Sequence, residues 1–364
     1  MELALIILLW LFICLQLLVI SGLLSLPKQK KLKISELPQI AILVPARNEE
    51  ENIGSCLEAL LALNYPINKL EIWVGNDQST DSTAKIVEAI SVNNPHVQLF
   101  HVSEDIGMAK AKGNVLAQLV KKCSANYIFV TDADVVVGKN WIQGLLPHLL
   151  SNNVGMVSGT TLLSGNGIIQ YGQSIDWTIG NGYLIGLNQL GMQSTAVGNN
   201  MAFTREAYMA TGGYEAMPFS VTEDFQLFTA IRKCGFQTVN LMEKQSLNYT
   251  KPQDQFKKLL HQRKRWMMGA LDLPWYWAIV FGVQAFFYFG LILLCLMNTS
   301  LALSIWILKC LVQLILVILI YAKLREPLPW RAIWSYELYA IGMNLAMIIF
   351  FILPEKMDWK GRKY

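Results

Sequence analysis

Phe129-Val130-Thr131-Asp132-Ala133-Asp134 is the stretch on which the reading of this sequence turns. An apolar run, expected as a strand at 127–131, leads straight into two carboxylates one residue apart. In an extended chain, residues i and i+2 point to the same side. Two carboxylates on one side suit a hard divalent cation already bound to phosphate oxygens. Such a cation neutralises charge on a departing diphosphate. As a bare motif Asp-x-Asp is more often a solvated loop. At a strand's end in an α/β domain the balance reverses.

The flanking sequence supplies that domain. Residues 39–44 form a short apolar run ending in Pro45, which reads as a buried strand. Residues 48–63 then show helical spacing, with Ile53, Leu57, Leu60 and Leu61 on one face. A second strand is expected at 70–74, followed by a Ser/Thr/Asp turn and a helix from about Asp81. A third strand is expected at 97–102 and another helix at 109–121. This alternation predicts an α/β fold with a mostly parallel central sheet, and ligands at the strands' carboxyl ends. There is no internal repeat and no low-complexity tract.

Composition sets the frame around it. The chain has 364 residues, 53% hydrophobic and 15% charged, where soluble domains carry about a quarter charged. The deficit falls in the first 26 residues and after Trp275. One soluble domain, residues 38–250, is therefore expected between membrane segments. A net charge of +4 is too small to argue for nucleic acid. The six cysteines include no Cys-x-x-Cys pair, which argues against a thiolate metal site or disulfide scaffold and fits a reducing compartment.

Residues 1–26 read as an N-terminal transmembrane anchor, long enough to cross the hydrocarbon core. No basic residue precedes the apolar run and no A-x-A-like site follows it, which weakens a signal-peptide reading. Lys28, Lys30, Lys31 and Lys33 come next and place that end in the cytoplasm. Three more spans are expected at 275–297, 301–321 and 332–353, within a membrane region of 275–353. Simple counting puts the basic tail, 354–364, outside, although its charge prefers the inside. A re-entrant or interfacial C-terminal segment would resolve the conflict. Lys309, Gln313 and Glu337 fall within these spans. Such groups face protein or a water-filled cavity, and a helix-packing contact is the favoured reading over a substrate passage.

Four further clusters carry chemistry. In Gly75-Asn76-Asp77-Gln78-Ser79-Thr80-Asp81, Asp77 can accept from a base N–H or a ribose hydroxyl, while Asp81 reads as a helix cap. In Pro45-Ala46-Arg47-Asn48-Glu49-Glu50-Glu51, the acidic residues read as dipole complements, and Pro45 and Ala46 as a wall beside a nucleotide. Thr222-Glu223-Asp224 follows a Gly212-Gly213-Tyr214 turn. Alone it is most simply a helix start, but its carboxylates are also suitable general bases. Gln262, Arg265 and Trp266 share one face of an amphipathic interface helix expected at 251–272. An Arg there can hold diphosphate and an indole can stack on sugar.

Taken in order, these clusters resemble the family 2 glycosyltransferases of the glycosyltransferase-A fold, over about residues 38–270. The resemblance implies that Asp77 binds the nucleotide and that Lys112, within Ala111-Lys112-Gly113-Asn114-Val115-Leu116, approaches the donor phosphates, with Lys110 as the nearby alternative. It makes Asp132 and Asp134 the metal carboxylates, for Mn or Mg, with Asp132 also on the donor side. It makes Asp224 the base beside Glu223, and gives Gln262, Arg265 and Trp266 to the donor. Asn76 stands where the family has a first carboxylate, and Ala111 where it has Gly. Gly198-Asn199-Asn200 looks like the acceptor-side loop. One anchor plus a C-terminal membrane cluster is similar to the ceramide and carotenoid glycosyltransferase branch.

The resemblance implies an inverting transfer from a nucleotide-sugar, a UDP-sugar, to a lipid hydroxyl at the cytoplasmic face of the inner cell membrane. A processive polysaccharide synthase is the rival enzyme. A non-enzymatic scaffold with a degenerate transferase domain is the rival of another class.

Overall fold

A computed structural model describes residues 1–26, 37–352, 358–359 and 362–363. Helix α1 (Glu2–Leu24) opens the chain. Then follow β1 (Ile40–Ala46), α2 (Ile53–Leu61), β2 (Leu70–Asn76), α3 (Thr83–Asn93), β3 (Val97–His101), α4 (Ala111–Lys122) and β4 (Tyr127–Thr131). After them come β5 (Val135–Val137), α5 (Trp141–Leu149), β6 (Val154–Ser158), β7 (Thr160–Leu163), α6 (Ile168–Gln189), β8 (Asn200–Thr204), α7 (Arg205–Ala210), α8 (Glu223–Lys233), β9 (Gln237–Asn240) and β10 (Leu247–Thr250). Helices α9 (Phe256–Ala270), α10 (Trp275–Met297), α11 (Thr299–Leu324) and α12 (Trp330–Ile352) follow. The chain ends on a two-stranded hairpin, β11 (Asp358–Trp359) with β12 (Arg362–Lys363).

The chain divides into two compact units. One is Lys28–Leu162 with Thr195–Lys251; the other is Met1–Pro27, Leu163–Ser194 and Pro252–Tyr364. The first holds the α/β fold, with a seven-stranded sheet ordered β3-β2-β1-β4-β8-β6-β9. β1 pairs parallel with β2 and β4, β2 with β3, and β6 with β9; only β8 runs antiparallel to its neighbours. The sheet is thus mostly parallel. Ile40, Ile42 and Val44 of β1 enter one core with α2, α3 and α5, while Ala41 and Leu43 enter the other with α4, α7 and α8. A strand buried on both faces has to be apolar throughout, which is why β1 reads as a continuous run.

Helix α2 begins later than its apolar spacing suggests. Asn48 takes a left-handed φ of 52°, and the N–H groups of Asn52 and Ile53 close a turn on the Glu49 carbonyl. Only from Ile53 does the chain propagate as helix. Lys28, Lys30, Lys31 and Lys33 lie outside the described residues, as does most of the tail.

The second unit gathers α1, α6 and α9–α12. Four of these helices, α1, α10, α11 and α12, are long and apolar enough to cross a membrane. Leu163–Ser194, inside the 38–250 stretch, group with these helices. In α6, Gly186 meets Gly22 of α1. A Cβ at Gly22 would lie 2.0 Å from the Gly186 carbonyl oxygen. Close backbone approach through small residues is how helices associate without a hydrophobic drive between them. Glu337 of α12 accepts from Gln313 (3.0 Å), Tyr288 (3.2 Å) and Trp306 (3.2 Å), and pairs with the Lys309 ammonium. The polar groups of the spans serve one another, as helix-packing contacts do.

Candidate active site

The carboxyl ends of β1, β2 and β4 lie side by side in the sheet, and each sheds its polar cluster there. Pro45 and Ala46 close β1; Ala46 is buried and Pro45 half-buried. The Asp77 N–H donates to the Ala46 carbonyl (2.8 Å). Arg47 donates to the Asp77 carbonyl (2.8 Å), and its guanidinium lies 3.9 Å from the Asp77 carboxylate. The sequence signal for Arg47 is its position directly after the end of β1. Asn76 accepts from the Ser79 N–H (3.2 Å), and its amide nitrogen lies 3.2 Å from His101 Nδ1. An amide here serves the loop itself, which gives the missing first carboxylate a structural reason.

The loops after β1 and β2 are laced together. Asp81 accepts from the Thr83 N–H (3.0 Å) and hydroxyl (2.5 Å), and from the Glu50 N–H (3.1 Å). Burial works against its charge, but these donors hold its carboxyl below the usual range. Glu50 in turn accepts from the Ser82 N–H (2.9 Å). Glu50 therefore serves the start of α3 rather than the dipole of its own α2.

Asp132 and Asp134 do not sit on an extended strand. The Val135 N–H donates to the Asp132 carbonyl (3.1 Å), so the pair occupies a tight turn. The chain must turn here because it leaves the seven-stranded sheet at Thr131 and enters the smaller sheet, β5-β10-β7, at Val135. The expectation of two side chains on one side of an extended chain is replaced by two carboxylates on a turn, both half-buried.

Lys112 links this turn to the base motif. Its ammonium lies 2.7 Å from Asp132 Oδ1 and 2.9 Å from Glu223 Oε1. Burial disfavours its charge, but the Asp132, Glu223 and Asp224 carboxylates outweigh that and hold it above the ordinary lysine range. Lys110 instead pairs with Asp105 (2.7 Å). Ala111 between them takes a left-handed φ of 49°, a conformation that glycine adopts without strain.

Glu223 and Asp224 form the first turn of α8, as the helix-start reading expects. Gly212 and Gly213 turn the chain toward α8 at positive φ (81° and 70°). Asp224 accepts from the Phe225 N–H (2.8 Å) and from the Gly198 N–H (2.9 Å). The next residue, Asn199, offers its carbonyl to the Thr131 hydroxyl (3.1 Å), one residue before Asp132. A closed circuit therefore runs from Asp132 through Lys112 to the Glu223–Asp224 turn, and back through Gly198, Asn199 and Thr131.

Gln262, Arg265 and Trp266 lie on α9 in the other unit, half-buried. Trp266 packs against Trp177 (ring centroids 4.9 Å), with the Arg263 guanidinium 4.7 Å from its centre. Arg263 pairs with Asp176 of α6 (2.7 Å).

A divalent cation fits the donor set at the Asp132–Asp134 turn. The carboxylates there are hard oxygen donors. Negative charge collects: burial first, then Asp134, Asp132 and Glu49, push the neighbouring Cys56 thiol up. Among the described residues no group of three or more His, Cys, Asp or Glu side chains could hold a metal ion. A cation here would therefore take its remaining ligands from phosphate oxygens and water, as Mg²⁺ commonly does.

The family model described as glycosyl transferase family 21 matches residues 3–364. A beta-monoglucosyldiacylglycerol synthase from Synechocystis sp. is 26% identical over 244 residues, 64% of this chain and 48% of that protein. A poly-beta-1,6-N-acetyl-D-glucosamine synthase from Staphylococcus aureus is 27% identical over 252 residues, 68% of this chain and 58% of that protein. The chain thus spans about half the length of the curated relatives it matches. A solved structure, the mannosyltransferase PcManGT from Pyrobaculum calidifontis in complex with GDP-Man and Mn2+, shares the fold. Its TM-score is 0.60, covering 95% of this chain and 98% of that one at 18% identity.

Proposed function

The chain belongs to glycosyl transferase family 21, and on that premise we propose that it transfers one sugar, with inversion, from a UDP-sugar to a lipid hydroxyl. The transfer takes place at the cytoplasmic face of the inner cell membrane. The observation that carries the reading is the circuit joining Asp132, Lys112, Glu223 and Asp224, because this reading gives those groups the donor-binding and proton-accepting roles.

In this reading Asp77 accepts from the nucleoside, beside a wall of Pro45 and Ala46. Lys112 holds a donor phosphate oxygen. Asp132 and Asp134 hold a divalent cation, Mn²⁺ or Mg²⁺, which when bound offsets charge on the leaving diphosphate. Asp224 takes the proton of the acceptor hydroxyl as that oxygen bonds to the anomeric carbon. The bond from that carbon to the diphosphate breaks, and the nucleoside diphosphate departs. The Gly198 and Phe225 N–H groups fix the Asp224 carboxylate for this step.

A lipid acceptor is supported by the four span-length helices, by the short link from α9 to α10, and by the glycolipid-forming relative. A polymer product is the second reading, favoured by the likeness to the polysaccharide synthase. The test uses the full chain in lipid with a panel of UDP- and GDP-sugars and Mn²⁺ or Mg²⁺, with mass spectrometry of the products. One added sugar on a lipid supports the proposal, a polymer replaces it with the second reading, and no transfer from any donor overturns both.

A further inference from the structure

Lys112 sits on the first turn of α4, where the backbone is held still. The Asn114 side chain ties it to the preceding loop, accepting from the Ile106 N–H (3.0 Å) and donating to the Glu104 carbonyl (2.9 Å). The lysine stem is free to swing from this fixed base, and its ammonium is a compact charge that can exchange partners. Its ammonium lies at ion-pair distance from Asp132 and Glu223, and the side chain is 27% exposed, within reach of an incoming ligand.

We propose that Lys112 occupies the cation's electrostatic place while the donor is absent, so that a divalent cation enters this site only together with a nucleoside diphosphate. The inference rests on the reading above of Asp132 and Asp134 as the cation's ligands. A divalent cation arriving alone must share Asp132 with an ammonium 2.7 Å from one of its oxygens, and the two positive charges repel. A diphosphate changes the balance. Its oxygens offer the ammonium a new anionic partner, and as Lys112 moves to them Asp132 is released. The two ligands therefore bind with positive coupling. Coupling of binding is reciprocal: the factor by which diphosphate tightens the cation equals the factor by which the cation tightens diphosphate. Lys110, committed to Asp105, does not take part.

The experiment is Mn²⁺ binding to the detergent-solubilised full chain, read by electron paramagnetic resonance of free Mn²⁺, with and without saturating UDP or GDP. In the wild type the diphosphate should tighten Mn²⁺ by at least about tenfold, within the usual range of coupling. Lys112→Met should bind Mn²⁺ alone several-fold more tightly than wild type, and show less added effect of diphosphate. Lys112→Arg keeps a cation in place and should retain the wild-type pattern, which separates lost charge from lost fold. Asp134→Ala should abolish Mn²⁺ binding throughout. If wild type shows the diphosphate effect but Lys112→Met binds Mn²⁺ alone no more tightly, the role of Lys112 is overturned and the metal reading stands. If no variant binds Mn²⁺ with or without diphosphate, the metal reading itself falls, and this proposal with it.

Discussion

Gly198 is the residue at which one methyl group should be felt most sharply. Its N–H holds Asp224, and an added Cβ would lie 2.6 Å from the same carboxylate oxygen. Gly198→Ala should therefore displace the base without touching the nucleotide groups. Transfer should fall by about 10²-fold, the lower range of what a general base contributes, while donor affinity stays near wild type. Asp224→Asn should give the same split, and Asp77→Ala the reverse, with donor affinity lost first. Donor titrations run beside transfer assays on the three variants decide it. Near wild-type transfer by Asp224→Asn would move the base elsewhere, with Glu223 next. A second residue sets a pH response. Burial pushes the Glu243 carboxyl from its ordinary 4.5 up to about 7, so the folded chain binds a proton that the unfolded chain has released. That contribution is fully present below about pH 4.5 and is lost as pH rises through about 7. Glu243→Gln should raise the thermal midpoint at pH 8 by several degrees and barely change it at pH 5. An equal effect at both pH values would contradict the assignment.

At the scale of elements, what could be read from the sequence follows from where the physics is local. β4 falls at Tyr127–Thr131 as expected, because an apolar run closed by a polar turn needs no distant partner to define it. The start of α2 was not legible, since the left-handed Asn48 is held by bonds to the β2–α3 loop. Nor was α6. Its sequence mixes Gln173, Ser174, Asp176 and Asn181 with apolar residues and matches neither a membrane span nor an amphipathic surface helix. Its polar groups are satisfied by other helices and loops: Asp176 by Arg263 and Tyr336, Gln173 by Gln253. The readable signal was the Gly182-x-x-x-Gly186 spacing. It yields a test of how α1 and α6 associate. Gly22→Ala places a Cβ against the Gly186 carbonyl, whereas a Cβ at Gly180 of α6 meets nothing within 4 Å. Thermal unfolding in detergent should show Gly22→Ala destabilised by about 1–3 kcal/mol, the usual cost of overpacking, and Gly180→Ala unchanged. Equal midpoints for both would mean that this crossing is not tight in the membrane-extracted protein.

At the scale of the whole molecule, the unresolved point of the sequence was the side on which the tail lies, and the packing of α12 bears on it. Counting four crossings puts the basic tail on the side opposite the residues between α1 and α10. Yet α12 is the least apolar of the four candidates, with a mean hydropathy of 1.3 against 3.1, 2.4 and 2.6. Its C-terminal half, Met343, Met347 and Phe350, packs against Leu259, His261 and Lys264 of α9, and the backbone of β11 also lies against α9. Helix α9 is rich in Lys and Arg and leads into α10, so it belongs at the membrane surface on the side where α10 begins. A helix whose final turns follow α9 ends on that same side. We read this packing as a re-entrant path, which would agree with the preference of a basic tail for the cytoplasm. Single cysteines placed in a background cleared of the native thiols test it with a membrane-impermeant maleimide on intact cells. Ser300→Cys, at the start of α11, should label. Asn93→Cys, at the end of α3, and Gly361→Cys, in the tail, should both be protected until the membrane is opened. Labelling at Gly361 alone would restore a full crossing by α12. Labelling at Asn93 would invert the orientation of the entire chain and remove its supply of cytoplasmic nucleotide sugar.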